Sequence, residues 1–508
     1  MPSNWKAKRA KERIESRYKQ VESVTILDYT KEMSLENIPV NRAYRVQAAH
    51  LYLDILNLDE LLGTTNGEGT TCHKRALRFL NLHYRAVHRI LGATDVRRVD
   101  FHNQRLHAVV TKPYGADSER ERVVIAVAVA DLIDHVLQET GDADESIPNA
   151  KVRAGIDTGL SLVVNNGRHG GREPLFLGRP ANHAAKCAGA AEAKGIYLTN
   201  AARLAIGLAA LDNGKDRTTA LTAEQIAACV EEADLDITKD QIVREWHDEQ
   251  RETPIGTIEF SRPTPPMKDL DINALTLANA KRFEGVSVYA DIDGFTAYVD
   301  ENLEDAPEDV VRTLHVLRSE LDAVVSADFQ GRRVRFIGDC LHGCLMDGTA
   351  YATDAEETVS NATLCAGALR SSFTAALDYL VERGVATGNL GLAIGFDFGP
   401  IAIARLGMSG SRVRCAIGRS VLSAEAEQCR CNAAQTALGA AAYAKGSEAV
   451  RDLFKTARRV SNLDYDSAVT SLAATGDRTA AFVQKLAAQE SRPAIMPALT
   501  VPLRGHSA

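Results

Sequence analysis

The chain has 508 residues, 45% of them hydrophobic and 25% charged, and a formal net charge of −8. That balance fits a globular protein of two or three domains and gives no general affinity for nucleic acid or acidic membranes. No apolar run reaches the ~18 residues of a membrane span and no secretory signal opens the chain, so a cytoplasmic location is expected. The nine scattered cysteines are expected to be reduced thiols; Cys429 and Cys431 form a CxC without the second pair a zinc site needs.

Taken in chain order, residues 1–44 are a lead-in whose start, NWKAKRAKERIESRYKQ, is dense in Lys and Arg and reads as a solvated helix. Residues 45–211 alternate strand and helix patterns. An apolar strand (LYLDI) precedes a helical stretch (RALRFLNLHYRAVHRIL) and a hairpin (RRVDF…RLHAVV). A second helix (VVIAVAVADLIDHVLQ) and a strand with a glycine turn (KVRAGIDTGLSLVV) complete the unit. Residues 212–279 read as a charged helical linker ending in SRPTPPMKD, whose three prolines place a domain boundary near Pro263–Lys268.

Residues 280–455 repeat the first unit about 235 positions later. VSVYADIDGFTAYV (Val286–Val299) matches AHLYLDILNLDELL (Ala49–Leu62), and RRVRFIGDCLHGCL (Arg332–Leu345) matches VRRVDFHNQRLHAVV (Val96–Val110). The expected fold is α+β: two tandem βαββαβ domains with helices on one face of each sheet. Residues 456–508 read as a tail with one or two weak helices and a Pro-containing end.

The copies have lost different parts. Asp291, at the end of its strand, is joined by Asp339 in the Gly338–Asp339 hairpin turn, and two carboxylates at the ends of adjacent strands suit a pair of Mg²⁺ or Mn²⁺ ions. Gly294, Phe295 and Thr296 form a tight strand-to-helix turn whose N–H groups suit phosphates. In the first copy Asp54 aligns with Asp291, but Gln104 stands near the register of Asp339.

These motifs resemble the class III nucleotidyl cyclases, over about residues 45–210 and 280–450. The resemblance implies two domains paired head to tail, with sites at their interface. It assigns two metal ions to Asp291, the Ile292 carbonyl and Asp339. The family's G-x-x-x-N-x-x-x-R element, whose Asn orients the ribose and whose Arg stabilises the transition state, maps onto Gly178, Asn182 and Lys186. Lysine there keeps the charge without the planar fork. The second copy has Leu422 and Ala426 at those offsets from Gly418. One intact composite site and one degenerate site follow, with Arg412 or Arg414 as candidates for the outer phosphates.

In purine cyclases of this family a Lys or Glu stands three residues before the hairpin glycine; here that position is Asp100, and the second base-reading position is the apolar Leu175. Strand alternation places Arg98, Asp100 and Gln104 on one face, and Tyr52 beside Asp54. Tyr52 would shorten the base pocket, and Asp100 with Arg98 would satisfy an N3–H donor and a neighbouring carbonyl, so UTP is preferred over CTP. The chain looks most like the pyrimidine cyclases of bacterial antiphage defence (Pycsar systems). That resemblance implies a cyclic UMP product acting on a separate effector, with a homodimer as one arrangement. A cytidylate or purine cyclase, and a nucleotide-binding sensor without turnover, stay open as alternatives.

Overall fold

The computed structural model describes residues 4–63, 67–143, 146–166, 174–190, 193–212 and 214–490; the Pro-containing end of the tail lies outside them. Each half is a mixed α+β unit. In the first, the strands run in the order Arg97–His102, Arg105–Val110, Arg42–Ile55, Val152–Asn165 and Pro174–Leu177, with Gly195–Leu198 parallel to Val152–Asn165. In the second the order is Arg332–Ile337, Cys340–Leu345, Ala280–Asp293 and Gly391–Leu406, with Gln435–Leu438 parallel to the last of these.

Both sheets carry helices on one face. Thr70–Ala93 and Glu119–Leu137 cover the first; Pro307–Ala323 and Ala355–Val381 cover the second. The helix Glu119–Leu137 holds the VVIAVAVADLI run, and its valines and alanines are buried almost all round, as a helix apolar on every face requires. Among the described residues no helix is long and apolar enough to cross a membrane, and all nine cysteines are free thiols.

The repeat is kept at the level of register. Asp54 pairs across the ladder with Arg105 and with Arg153, while Asp291 pairs with Ala393 and its neighbour Ala290 with Leu341. The pair His102–Arg105 closes the first hairpin and Ile337–Cys340 the second. Asn103–Gln104 therefore occupies the turn that Gly338–Asp339 occupies, and Arg105 stands where the second copy has Cys340.

Two equivalent glycines set a helix on each sheet. A Cβ at Gly155 would overlap the carbonyl of Ala184, and one at Gly395 would overlap the main chain of Gln428. Only bare backbone lets the helices Arg179–Ala188 and Arg419–Cys429 lie so close. The first of these carries Asn182 and Lys186.

The halves interlock. Leu162, Val164, Leu175 and Leu177 of the first copy pack into the core of the second, and Ala402, Leu406, Val413 and Ile417 of the second pack into the core of the first. At about 25 cal/mol per Å² of apolar surface, such reciprocal burial opposes separation of the halves.

Three segments read from sequence as peripheral are packed. The basic N-terminal helix, Ala7–Lys19, is no solvated helix: Ala10 and Ile14 are buried, Arg13 bridges Glu320 and Asp328, and the Trp5 indole donates to Ser372. It lies on the second copy, although it precedes the first. The linker helix Lys239–Glu252 joins the first copy's helical layer through Trp246, whose indole donates to the Leu82 carbonyl, and through Arg89 with Glu245 and Glu249. The tail helices Tyr465–Ala474 and Arg478–Glu490 bury Leu472, Ala480 and Val483 in the second copy's core.

Candidate active site

A narrow cavity of about 60 Å³ opens between the halves. Tyr52, Asp100 and Asn182 of the first copy line it together with Phe295, Thr296 and Asp339 of the second. The structure thus brings six of the sequence-selected residues to one place, from five separate segments. The Asn182 amide donates across the gap to the Thr296 hydroxyl at 2.5 Å. Next to it the backbone N–H of Arg179 donates to the Asp300 carboxylate at 2.7 Å, and this closes the N-terminus of Asn182's helix with a side chain from the other half.

Asp291 stands beside Asp339. Gly294, at φ +81, supplies the left-handed residue that turns the strand sharply into the helix Phe295–Asn302. Burial, and then the charge of Asp293, push the Asp291 carboxyl above the usual carboxylate range, against hydrogen bonds from Cys340 and Gln428. Asp339 is raised too, first by burial and then by the charge of Asp291. Two carboxylates that repel one another in a desolvated cleft are an electrostatic demand for cations. The donor set, carboxylates plus the Ile292 carbonyl, is the hard oxygen chemistry of Mg²⁺ or Mn²⁺. Among the described residues no group of three or more His, Cys, Asp and Glu side chains is placed to hold a metal. An ion here would rest on these two carboxylates, main-chain oxygen and oxygens of a bound ligand.

The base side is built around Tyr52. Its ring stacks on His107 (centroids 4.2 Å apart, planes at 17°), His107 meets His50 at 3.0 Å, and His50 meets the Ser161 hydroxyl at 2.9 Å. Burial pulls His50 down to about 3 and holds His107 well below the usual range, so both rings are neutral. Asp100 is bridged by Arg335, which also donates to the Phe101 carbonyl at 2.8 Å. Arg335 is only 1% exposed. It occupies in the second copy the position that Asp100 occupies in the first, three residues before the hairpin turn, so the two equivalent positions pair with each other.

Three sequence-selected residues lie elsewhere. The hairpin has a bulge at Val99: Arg98 sits opposite Ala108 and Asp100 opposite His107, neighbours on the partner strand. The bulge defeats simple alternation. Asp100 lines the cavity, but Arg98 lines a neighbouring basic cleft, where it donates to the Ser411 carbonyl at 3.0 Å. Arg412 lines that same cleft and not the cavity. Lys186 is exposed, one helical turn beyond Asn182, and its charge acts on Asp300. Sequence reasoning also passed over Arg335, Phe336 and Asn166. Arg318 packs its guanidinium on the Phe336 ring at 3.9 Å and donates to the Asn166 side chain at 2.9 Å. The offset that selected Asp100 would have found Arg335 had it been applied to both copies.

The equivalent place in the other half is closed. Arg105 reaches Asp54 at 3.2 Å and, across the interface, Glu425 at 2.9 Å. Burial raises the Asp54 carboxyl and Arg105 opposes that rise. A guanidinium stands where the other copy has Cys340.

Two homologous α+β domains, with the paired carboxylates of one beside the asparagine of the other, have the organisation of a class III nucleotidyl cyclase. No family model matches the chain. Over 482 residues it is 58% identical to a uridylate cyclase of Pseudomonas aeruginosa, an alignment spanning 94% of this chain and 93% of the relative. It is 38% identical over 435 residues to a uridylate cyclase of a Rhizobium species, spanning 82% of each. A solved structure, a class III adenylyl cyclase-like ATP-binding protein from Pseudomonas aeruginosa, matches with TM-score 0.92 at 58% identity, over 93% of this chain and 100% of that one. The chain belongs to the uridylate cyclases of the class III nucleotidyl cyclase family.

Proposed function

We propose that the protein converts UTP into 3′,5′-cyclic UMP and diphosphate at one composite site, its halves paired head to tail within the chain. The observation that carries this reading is the meeting of Asn182 with Thr296 beside the Asp291–Asp339 pair; the uridylate cyclase relatives support the choice of base.

Asp291, Asp339 and the Ile292 carbonyl would hold two Mn²⁺ or Mg²⁺ ions. When bound, such ions lower the pKa of the ribose 3′-hydroxyl and neutralise the triphosphate. The N–H groups after Gly294, at Phe295 and Thr296, receive phosphate oxygens at a helix N-terminus. Asn182, one hydrogen bond from Thr296, orients the ribose so that the 3′-oxygen lies in line with the α-phosphorus and the diphosphate leaves opposite. Lys186, exposed outside the cavity one turn further along that helix, would have to swing its long side chain inward to supply positive charge to the developing transition state.

Tyr52, held flat by its histidine stack, leaves length for one ring. Asp100, kept beside the Arg335 guanidinium, accepts from uracil N3–H. The structure adds one part to this reading: the buried Arg335 guanidinium of the second copy also reaches Asp100's carboxylate, at 3.3 Å. We further propose, on the resemblance to the Pycsar cyclases, that the cyclic UMP is a messenger of antiphage defence that acts on a separate effector.

Incubation of the purified protein with each of the four nucleoside triphosphates and Mn²⁺, with products resolved by chromatography, tests the reading. Cyclic UMP as the main product is expected. Cyclic AMP as the main product would overturn the base assignment, and no product from any triphosphate would overturn turnover itself.

A further inference from the structure

A cleft larger than the composite site's cavity lies apart from it. It encloses about 650 Å³ between the start of the first copy's hairpin and the loop that joins Gly391–Leu406 to Val413–Ile417 in the second. That is ample for a nucleotide-sized ligand. Seven lysines and arginines line it, among them Arg97, Arg98, Arg405 and Arg412, against two carboxylates. Both carboxylates are taken up by cations of the cleft itself: Asp95 by Lys112 at 2.5 Å and Glu36 by Arg97 at 3.7 Å. The lining as a whole carries more cations than carboxylates, in a protein whose net charge is −8. A concave surface with that imbalance focuses its field on anions.

Two further observations narrow the ligand. Tyr29 and Tyr114 stand edge to face on one wall, 5.8 Å between centroids, and put aromatic surface beside the cations. The cations come from both halves, so a compact singly charged anion could reach only part of them, whereas a chain of phosphates could span them. His88, on the same wall, is held below its ordinary range by burial and by the charge of Arg98.

We propose that this cleft is a second ligand site, separate from the composite site, for a multiply charged phosphate compound of nucleotide size. The proposal does not depend on which triphosphate is cyclised. The strand that contributes Arg97 and Arg98 carries Asp100 two residues further on, beyond the Val99 bulge, so a ligand in the cleft bears directly on the element that presents Asp100 to the other cavity.

The test is calorimetric titration of the full-length protein with inorganic tripolyphosphate in EDTA. One saturable site is expected. Arg97→Glu with Arg412→Glu should weaken it at least ~10-fold through charge reversal, while Asn182→Ala, in the other cavity, should leave it unchanged. Absence of binding, binding that survives the charge reversal, or binding lost in Asn182→Ala would each overturn the proposal. If the double reversal does not fold by circular dichroism, Arg97→Gln with Arg412→Gln decides: weakened binding supports the site and unchanged binding overturns it. UTP titrated in parallel separates the sources. A gain over tripolyphosphate that Tyr114→Ala abolishes points to a nucleotide, and equal affinities point to the polyphosphate chain itself.

Discussion

Two places in this molecule hold equivalent positions in the two copies, and beyond a strand-end aspartate common to both, Asp54 and Asp291, their polar groups differ. Where Asp291 faces Cys340 and Asp339, Asp54 faces Arg105 and Gln104. Where Asn182 and Lys186 project from one helix, Leu422 and Ala426 stand on the other. One place keeps two carboxylates raised by burial and by each other; the other has become an ion-pair bridge from Asp54 through Arg105 to Glu425. The lesson is that a duplicated interface can put unsatisfied charge, which catalysis needs, at one end and satisfied charge, which holds the halves together, at the other.

The largest expected effect separates the two aspartates. Asp339→Ala should lower cyclic UMP formation by at least ~10³-fold, since several kcal/mol of charge stabilisation go with the ions. Asp54→Ala should leave turnover within about threefold. Similar losses from both would mean that the two places are not unequal. Next comes the ribose contact: Asn182→Ala should cost about 10²-fold in kcat, whereas Leu422→Asn, which restores the missing group in the closed place, should gain nothing in the same assay.

Arg105 sharpens the structural half of the comparison. Arg105→Ala leaves Asp54 buried without its cation and should destabilise the fold by about 2 kcal/mol in urea titrations, between the values for exposed and buried pairs. Adding Asp54→Asn should return most of that loss, and failure to do so would show that the bridge is not the source of the stability. The smallest effect concerns the base. Tyr52→Ala should raise the ratio of purine to pyrimidine product by about 10-fold, measured by competition between UTP and ATP. An unchanged ratio would mean that Tyr52 only packs the wall.

Much of this was legible in the sequence. The repeat, the order of strands and helices, the Gly294 turn and the register of Gln104 with Asp339 all follow from hydrophobic period and turn chemistry, which are local. The misses are not local. Nothing in RRVDFHNQ announces that Val99 is an extra residue, because a bulge is set by how the partner strand pairs. The basic stretch at residues 4–20 looked solvated because Arg13's partners, Glu320 and Asp328, lie more than three hundred residues away. The tail looked weak because its helices hide only narrow stripes, Leu472 on one and Ala480 and Val483 on the other, and their mates belong to the helix Ala355–Val381 and its surroundings. Arg105 and Arg335 carry no motif; their meaning comes from comparing the copies position by position in space.

The most direct test of a single asymmetric site is to see where ions and base go. In crystals grown with Mn²⁺ and a UTP analogue that cannot cyclise, anomalous scattering should show manganese between Asp291 and Asp339, with the uracil between Tyr52 and Asp100, and no ion at Asp54. Manganese bound at Asp54, or a uracil seated beside Asp54 and Arg105 in the closed place, would contradict it.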